Sequence, residues 1–340
     1  MKQKVTLQSL AKQLGVSVST VSKALNNSAE ISDETRQRVQ NLAKERNYRP
    51  NAIATNLRNK SSMAIAVIVP DLTNGFFAEA VEGMEEMARS EGYKLITCIS
   101  KDDPTREDDY IHMFNNGGVD GFIIAVSEGR QRQGNIDIFE ELIEDGIPLV
   151  MFDRVLDDIE CDKIVIDDRK SGKRVVEFLL ERKAKNLIIA TTIGDLSVAK
   201  YREQGMRQRA SVIEGAQVHT VQAASTDELQ KSLVERLDIN PAQAIVALDQ
   251  LAGLAALNAV RHAGKRVPED IQVISYADGS IARNTLPKLT VVDQHAQEIG
   301  RKAVVRMLNL MRSKDDLQIT RTHTIRSTIV ERDSTQAPAI

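Results

Sequence analysis

The chain has 340 residues, 42% of them hydrophobic and 27% charged, with no apolar run near the roughly 20 residues a membrane span needs. Its length accommodates two or three domains, and its only cysteines, Cys98 and Cys161, exclude a disulfide framework or a zinc site. The net charge of −3 hides a division: residues 1–62 carry eleven Lys/Arg against four Asp/Glu, and the rest carries 34 against 44. A basic head on an acidic body makes a polyanion the natural partner of the head alone. No signal-peptide pattern opens the chain, so a cytoplasmic location and no membrane partner are expected.

The basic segment predicts two short helices joined by a tight turn. Thr6 suits an N-cap, and Leu7, Leu10, Ala11 and Leu14 share one helical face. Gly15 follows where the chain must turn, and Ser17 can cap the next helix. Val18, Val21 and Leu25 then recur on one face, leaving Ser19, Thr20, Ser22 and Lys23 pointing elsewhere. This is a helix-turn-helix whose second helix presents short hydroxyls and one cation. A third helix is predicted after Ser32, with Asp33 and Glu34 in its first turn and Val39, Leu42 and Ala43 facing inward. Pro50 can start a short helical segment through Arg58, too brief to be stable alone in water. The expected divisions are 1–48 (head), 49–62 (hinge helix and linker) and 63–340 (core).

The core opens with the buried-strand run Ala64 to Asp71, and strand and helix then alternate. Strands are expected at Tyr93–Ile99, Gly121–Val126 and Pro148–Phe152, with helices at Phe77–Ser90, Pro104–Asn116 and Ile136–Glu144. A second unit is expected to begin at the strand Ile164–Ile166. It continues through helices near 171–181, 199–210, 226–237 and 249–262, with strands at 186–191, 217–222, 244–248 and 271–276. Thr290–Asp293 leads back, placing a helix at Ala296–Met311 on the first unit, and Thr322–Val330 reads as the last strand. Two similar α/β halves with crossovers form a hinged clamp with ligand between them.

These residues, taken in order, resemble the LacI/GalR family of bacterial transcription regulators. The likeness runs from Thr6 to about Glu331. It rests on Gly15-Val16-Ser17, Thr20-Val21-Ser22, Tyr48-Arg49-Pro50-Asn51, Val67-Ile68-Val69-Pro70-Asp71 with Asn74, Asp249, and Leu286-Pro287 with Leu289-Thr290. The resemblance implies a small all-α helix-turn-helix head plus an α/β two-lobed core like periplasmic sugar-binding proteins, with parallel sheets and a crossover hinge. It implies a homodimer on a near-palindromic operator in double-stranded DNA, with affinity set by a small-molecule effector. Base readout falls to Val18, Ser19 and Lys23, where Lys replaces the frequent Arg and loses its planar fork. Ser17, Thr20, Ser22 and Asn26 fall on phosphates, and Thr6 joins the DNA-binding set. Asn51, Ile53 and Ala54 belong to the hinge, and Leu57 matches a wedge in the minor groove.

For the effector, Phe76, Asp153, Arg154, Arg202, Asp249 and Asp278 match cleft positions. The frequent carboxylate before Asp278 is replaced by Ala277, and Leu248 occupies another usually polar position. Two readings stay open: an acidic or phosphorylated sugar on Arg202, or a neutral sugar with Arg202 paired to a local carboxylate. The five histidines are not at metal-ligand spacing, and the runs Asp102-Asp103 and Asp108-Asp109 read as solvated loop and helix-start charges. No nucleophile, base and oxyanion set assembles, so neither an enzyme nor a cofactor is expected. A transport solute-binding protein would share the core but not the basic head.

Overall fold

The computed structural model describes residues 5–48, 61–239, 242–277, 279, 281–313 and 320–336. The chain divides into two compact units, Met1–Ser62 and Met63–Ile340. The first holds α1 (Leu7–Leu14), α2 (Val18–Leu25) and α3 (Asp33–Glu45). Their shared core is Leu10, Ala11, Val21, Ala24, Val39, Leu42 and Ala43, the inward faces that the 3.6-residue period selects. Small Ala11 and Ala24 let the helices approach closely, and Gly15 takes the left-handed conformation (φ 69°) that closes α1.

The second unit has two lobes. Lobe 1 begins with β1 (Ala64–Val69), α4 (Gly75–Ser90), β2 (Lys94–Ile99), α5 (Pro104–Phe114) and β3 (Phe122–Ile124). It continues with α6 (Glu128–Gln133), α7 (Asp137–Glu144), β4 (Leu149–Phe152) and β5 (Asp162–Ile166). Lobe 2 follows with α8 (Asp168–Leu180), β6 (Asn186–Thr191), α9 (Ser197–Ala210), β7 (Gln217–Gln222) and α10 (Thr226–Ile239). It then has β8 (Ala244–Ala247), α11 (Gln250–His262), β9 (Gln272–Tyr276), the short α12 (Ile281–Asn284) and β10 (Thr290–Asp293). The chain recrosses to lobe 1 for α13 (Ala296–Arg312) and β11 (Thr322–Ile325), and β12 (Thr328–Val330) ends in lobe 2.

The two sheets run β11-β5-β4-β3-β1-β2 and β12-β10-β9-β8-β6-β7. Every pairing is parallel except β10 with β12. Buried on both faces, the central strands are continuous apolar runs such as Ala64–Val69. Helix α13 packs Ala296, Ile299, Ala303, Val304 and Met307 into the lobe 1 core, as its sequence predicts.

Two strand expectations are corrected. The strand at Ile164–Ile166 belongs to lobe 1, not to the second unit: β5 pairs with β4 and buries Ile164 and Ile166 in the first core. Simple alternation of strand and helix cannot show this, because β4 and β5 are joined by a loop without a helix. The final run, expected as one strand, splits at Arg326–Ser327 between the two sheets. Helices α6 and α12 lacked a legible apolar period; α6 is instead set by its Ser127 N-cap and the left-handed Gly134 that ends it. Among the described residues, no helix is long and apolar enough to cross a membrane.

The candidate DNA interface and the interlobe cleft

In the head, hydroxyl geometry builds the start of α2. Ser17 caps the helix by accepting from the Thr20 amide at 3.0 Å, and its Oγ lies 2.7 Å from Ser19 Oγ and 2.8 Å from Thr20 Oγ1. Three hydroxyls thus cluster at the positive end of the helix, where a phosphate oxygen is favoured. Val18 is 42% exposed, and Ser19 and Lys23 are exposed beside it. Lys23 is ion-paired to Glu30 in the loop after α2, so reaching a base edge requires exchanging that carboxylate. Thr6 closes a reciprocal box with Ser9 at the start of α1, and Asn26 Nδ2 donates to the Ser22 carbonyl at 2.8 Å. The hinge residues Asn51, Ile53, Ala54 and Leu57 lie outside the described residues.

In the core, the loops at the carboxyl ends of the strands converge between the lobes, where parallel sheets characteristically place ligands. From lobe 1 come Asn74 and Phe76 after β1, and Asp153 and Arg154 after β4. From lobe 2 come Thr192 after β6, Asp249 and Gln250 after β8, Tyr276 and Ala277 at the end of β9, and Gln294 after β10. They line a cavity of about 80 Å³. Phe76 is buried edge-on to Phe77 at 5.1 Å, and Phe77 is edge-on to Phe152 at 6.2 Å.

Arg202 is the centre of this wall. Its Nε donates to Asp168 at 2.6 Å, one Nη to the Leu248 carbonyl at 2.7 Å, and the other to Gln294 Oε1 at 2.6 Å. Its plane lies over the Tyr276 ring at 4.2 Å, and the Tyr276 hydroxyl meets Ser171 Oγ at 2.7 Å. All three guanidinium nitrogens are therefore committed inside the protein. Burial lifts the Asp168 carboxyl to about 6, against the opposing pull of Arg202. Of the two readings left open for Arg202, this geometry favours the pairing with a local carboxylate: Asp168 already holds the guanidinium, and an anionic ligand would have to displace it.

Asp249 also builds rather than presents. It caps α11 through the Ala252 amide (2.8 Å), and it accepts from Thr192 Oγ1 and N, each at 2.9 Å. Arg154 lies over Phe77 and pairs with Asp102 at 2.5 Å, so Asp102 is structural and not merely solvated. Asp108 likewise pairs with the buried Arg130, and Asp103 caps α5. Asp278 lies outside the described residues.

Asp153 differs from its neighbours. It sits in the left-handed region (φ 55°), which turns its carboxyl into the cleft, and no hydrogen bond reaches that carboxyl among the described residues. Burial raises its pKa above the usual carboxylate range, with Arg202 and Arg154 pulling the other way. Two further polar groups were missed from the sequence. Gln250 is buried with Oε1 lacking a donor among the described residues. Asn74 spends its Oδ1 on the Phe76 amide and leaves its Nδ2 without a described partner. An N-cap followed by an amide residue at the first helical position is the one signal that could have pointed to Gln250.

Comparison with known proteins accords with this arrangement. Residues 6–51 match the bacterial regulatory proteins of the lacI family, and residues 176–335 match the periplasmic binding protein-like domain. The HTH-type transcriptional regulator DegA of Bacillus subtilis is 33% identical over 302 residues, covering 87% of this chain and 88% of that protein. The lac repressor dimer bound to operator and the anti-inducer ONPF shares the fold with a TM-score of 0.86 at 22% identity, covering 98% of this chain and all of that one. A LacI family regulator from Enterococcus faecium with bound ribose superposes with a TM-score of 0.70 at 23% identity, covering 82% of this chain and 100% of its own. A third of the residues shared with DegA, along a chain whose basic helix-turn-helix precedes a two-lobed core, make this a member of the LacI family of bacterial regulatory proteins, a DNA-binding regulator of transcription.

Proposed function

We propose that the protein is a repressor that grips a near-palindromic operator as a homodimer and adjusts that grip to a neutral, polyhydroxylated effector of sugar type. The observation that carries this reading is the cleft at the carboxyl ends of both sheets, with an aromatic wall and unspent polar groups on both lobes. The dimer and operator named for the lac repressor structure, and the ribose named for the Enterococcus faecium structure, support it by likeness. A sugar ring would lie on Phe76, with hydroxyls donating to Asp153 and Gln250 and accepting from Asn74. A neutral ring suits this wall because Arg154 and Arg202 already hold carboxylates.

On DNA, Val18, Ser19 and Lys23 would read base edges in the major groove, while Thr6, Ser17, Thr20, Ser22 and Asn26 would hold phosphates. Asn51, Ile53, Ala54 and Leu57 would form the hinge, with Leu57 as the wedge. Such a regulator works in the cytoplasm, where the chromosome is. Ligand across the cleft biases one closure of the lobes, and coupling of this kind amounts to about 1–3 kcal/mol, reciprocal between effector and DNA.

The test is selection of bound fragments from random duplex DNA, with and without a panel of neutral sugars. An inverted repeat should emerge, with affinity shifted by one sugar. Equal affinity for the selected site and its scrambled version, in every ligand state, overturns the reading.

A further inference from the structure

Beside the central cleft lies a larger cavity, about 420 Å³, on the flank of the hinge. Lobe 1 supplies one wall through Lys163 and Val165 of β5 and Thr322 and Thr324 of β11, which sit side by side in parallel register. Lobe 2 supplies the other through Arg169, Lys170 and Tyr201.

The charges in these walls are unequally satisfied. Asp167 is held by both ends of the Arg174 guanidinium and by Ser327, Asp168 is held by Arg202, and Asp157 accepts from the Tyr201 hydroxyl. Among the described residues, the cations have no such partners. Lys163 is only 9% exposed, yet among the described residues its ammonium makes one hydrogen bond, to the Asp157 carbonyl at 3.1 Å, and no ion pair. Arg169 stacks on Tyr201 at 5.1 Å and donates to Gln204, again without a carboxylate among the described residues. Lys170 is exposed and has no ion pair among the described residues. A buried ammonium has three protons to satisfy and is costly to hold without a counter-ion. The one carboxylate of the lining without a hydrogen bond, Asp153, lies where this cavity meets the central cleft.

We propose that this flank cavity is a second ligand site, distinct from the effector cleft, which takes the phosphate or carboxylate group of a small metabolite. Lys163 and Arg169 bind the oxyanion by charge-assisted donation, one from each lobe, and Thr322 and Thr324 offer hydroxyls to the rest of the molecule. Because the two cations stand on opposite lobes, an occupant bridges them and favours the closed arrangement. The site stands apart from the reading of the central cleft as a sugar pocket.

The test is calorimetric titration of the full-length protein with ribose 5-phosphate, ribonate and ribose as probes, on the wild type, Lys163→Met and Phe76→Ala. One or both of the anionic probes should bind the wild type at or below roughly millimolar concentration, which also separates phosphate from carboxylate recognition. Lys163→Met should weaken that binding by at least about tenfold, and Phe76→Ala should leave it unchanged. Without ligand, Lys163→Met should melt no lower than the wild type, since it removes a buried unpaired charge; a lower melting point would mark a purely structural lysine. Failure of both anionic probes to bind, or loss of their binding in Phe76→Ala but not in Lys163→Met, overturns the proposal. Operator affinity measured on the same preparations shows separately whether the regulatory reading holds.

Discussion

Lys23 and Glu30 form an exposed pair within the head, and exposed pairs contribute little to folding. The pair matters because Glu30 competes for a cation positioned to meet DNA. Glu30→Gln should tighten operator binding by about two- to fivefold, the range an exposed pair supports, with little change in melting temperature. Fluorescence anisotropy over a salt series checks this, and unchanged affinity would show that Lys23 stays off the DNA. In lobe 1, Glu107 is fully buried against Arg130, and burial lifts its carboxyl to about 7 from an ordinary 4.5. A carboxyl harder to ionise in the folded chain than in the unfolded one makes folding take up protons. Stability should therefore fall as pH rises from about 4.5 to about 7, and Glu107→Gln should flatten that slope in thermal melts. Rising stability across that window in the wild type would contradict the assignment. At this scale the sequence was partly legible. Ser17 and Ser32 read correctly as caps because capping is local chemistry. The partner of Arg202 did not, because Asp168 stands 34 positions away on another helix.

Helices cross twice in the core at glycines. A methyl on Gly205 of α9 would overlap the Arg169 carbonyl oxygen, and one on Gly172 of α8 would overlap the Arg202 carbonyl oxygen. Gly83 of α4 and Gly300 of α13 make the equivalent approach in lobe 1. The α8–α9 crossing is what brings Arg202 to Asp168. Gly205→Ala should destabilise the core by roughly 1–3 kcal/mol through overpacking, read from urea unfolding, and should disturb the cleft as well. An unaltered midpoint would mean that the helices can part without cost. Helix α6 has a different task. Arg130, its buried residue, is fixed by Glu107, Asp108 and two carbonyls. This holds Gln131 and Arg132 toward lobe 2. Gln131 accepts from the Ser197 amide at 3.1 Å and donates to Ser197 Oγ at 3.2 Å, while Arg132 reaches Asp195 at 2.7 Å. Nothing in the polar run Glu128–Gln133 announces a helix, since its one buried side chain is a charged one whose carboxylate partners lie on α5.

Across the whole molecule, the contacts of Gln131 and Arg132 with Ser197 and Asp195 tie lobe 1 to lobe 2 in addition to the crossovers at 167, 294–295 and 326–327. The double substitution Gln131→Ala with Arg132→Ala should shift the lobes toward the open arrangement. Small-angle scattering checks this as a larger radius of gyration without ligand, and an unchanged radius would show that the crossovers alone set closure. The sequence by itself determined the helix-turn-helix, the alternation of strand and helix, and the separation of a basic head from an acidic core. Each of these depends on neighbours within a few residues or on summed composition, so periodicity and capping chemistry suffice to read them. Only the tertiary structure decided that β5 and β11 belong to lobe 1 and that the last segment is shared between sheets. It alone decided that Arg202 and Asp249 are spent inside the wall while Asp153, Gln250 and Lys163 are not. Those outcomes depend on which groups distant in the chain become neighbours, and a buried charge or amide takes its role from the partner that folding brings to it.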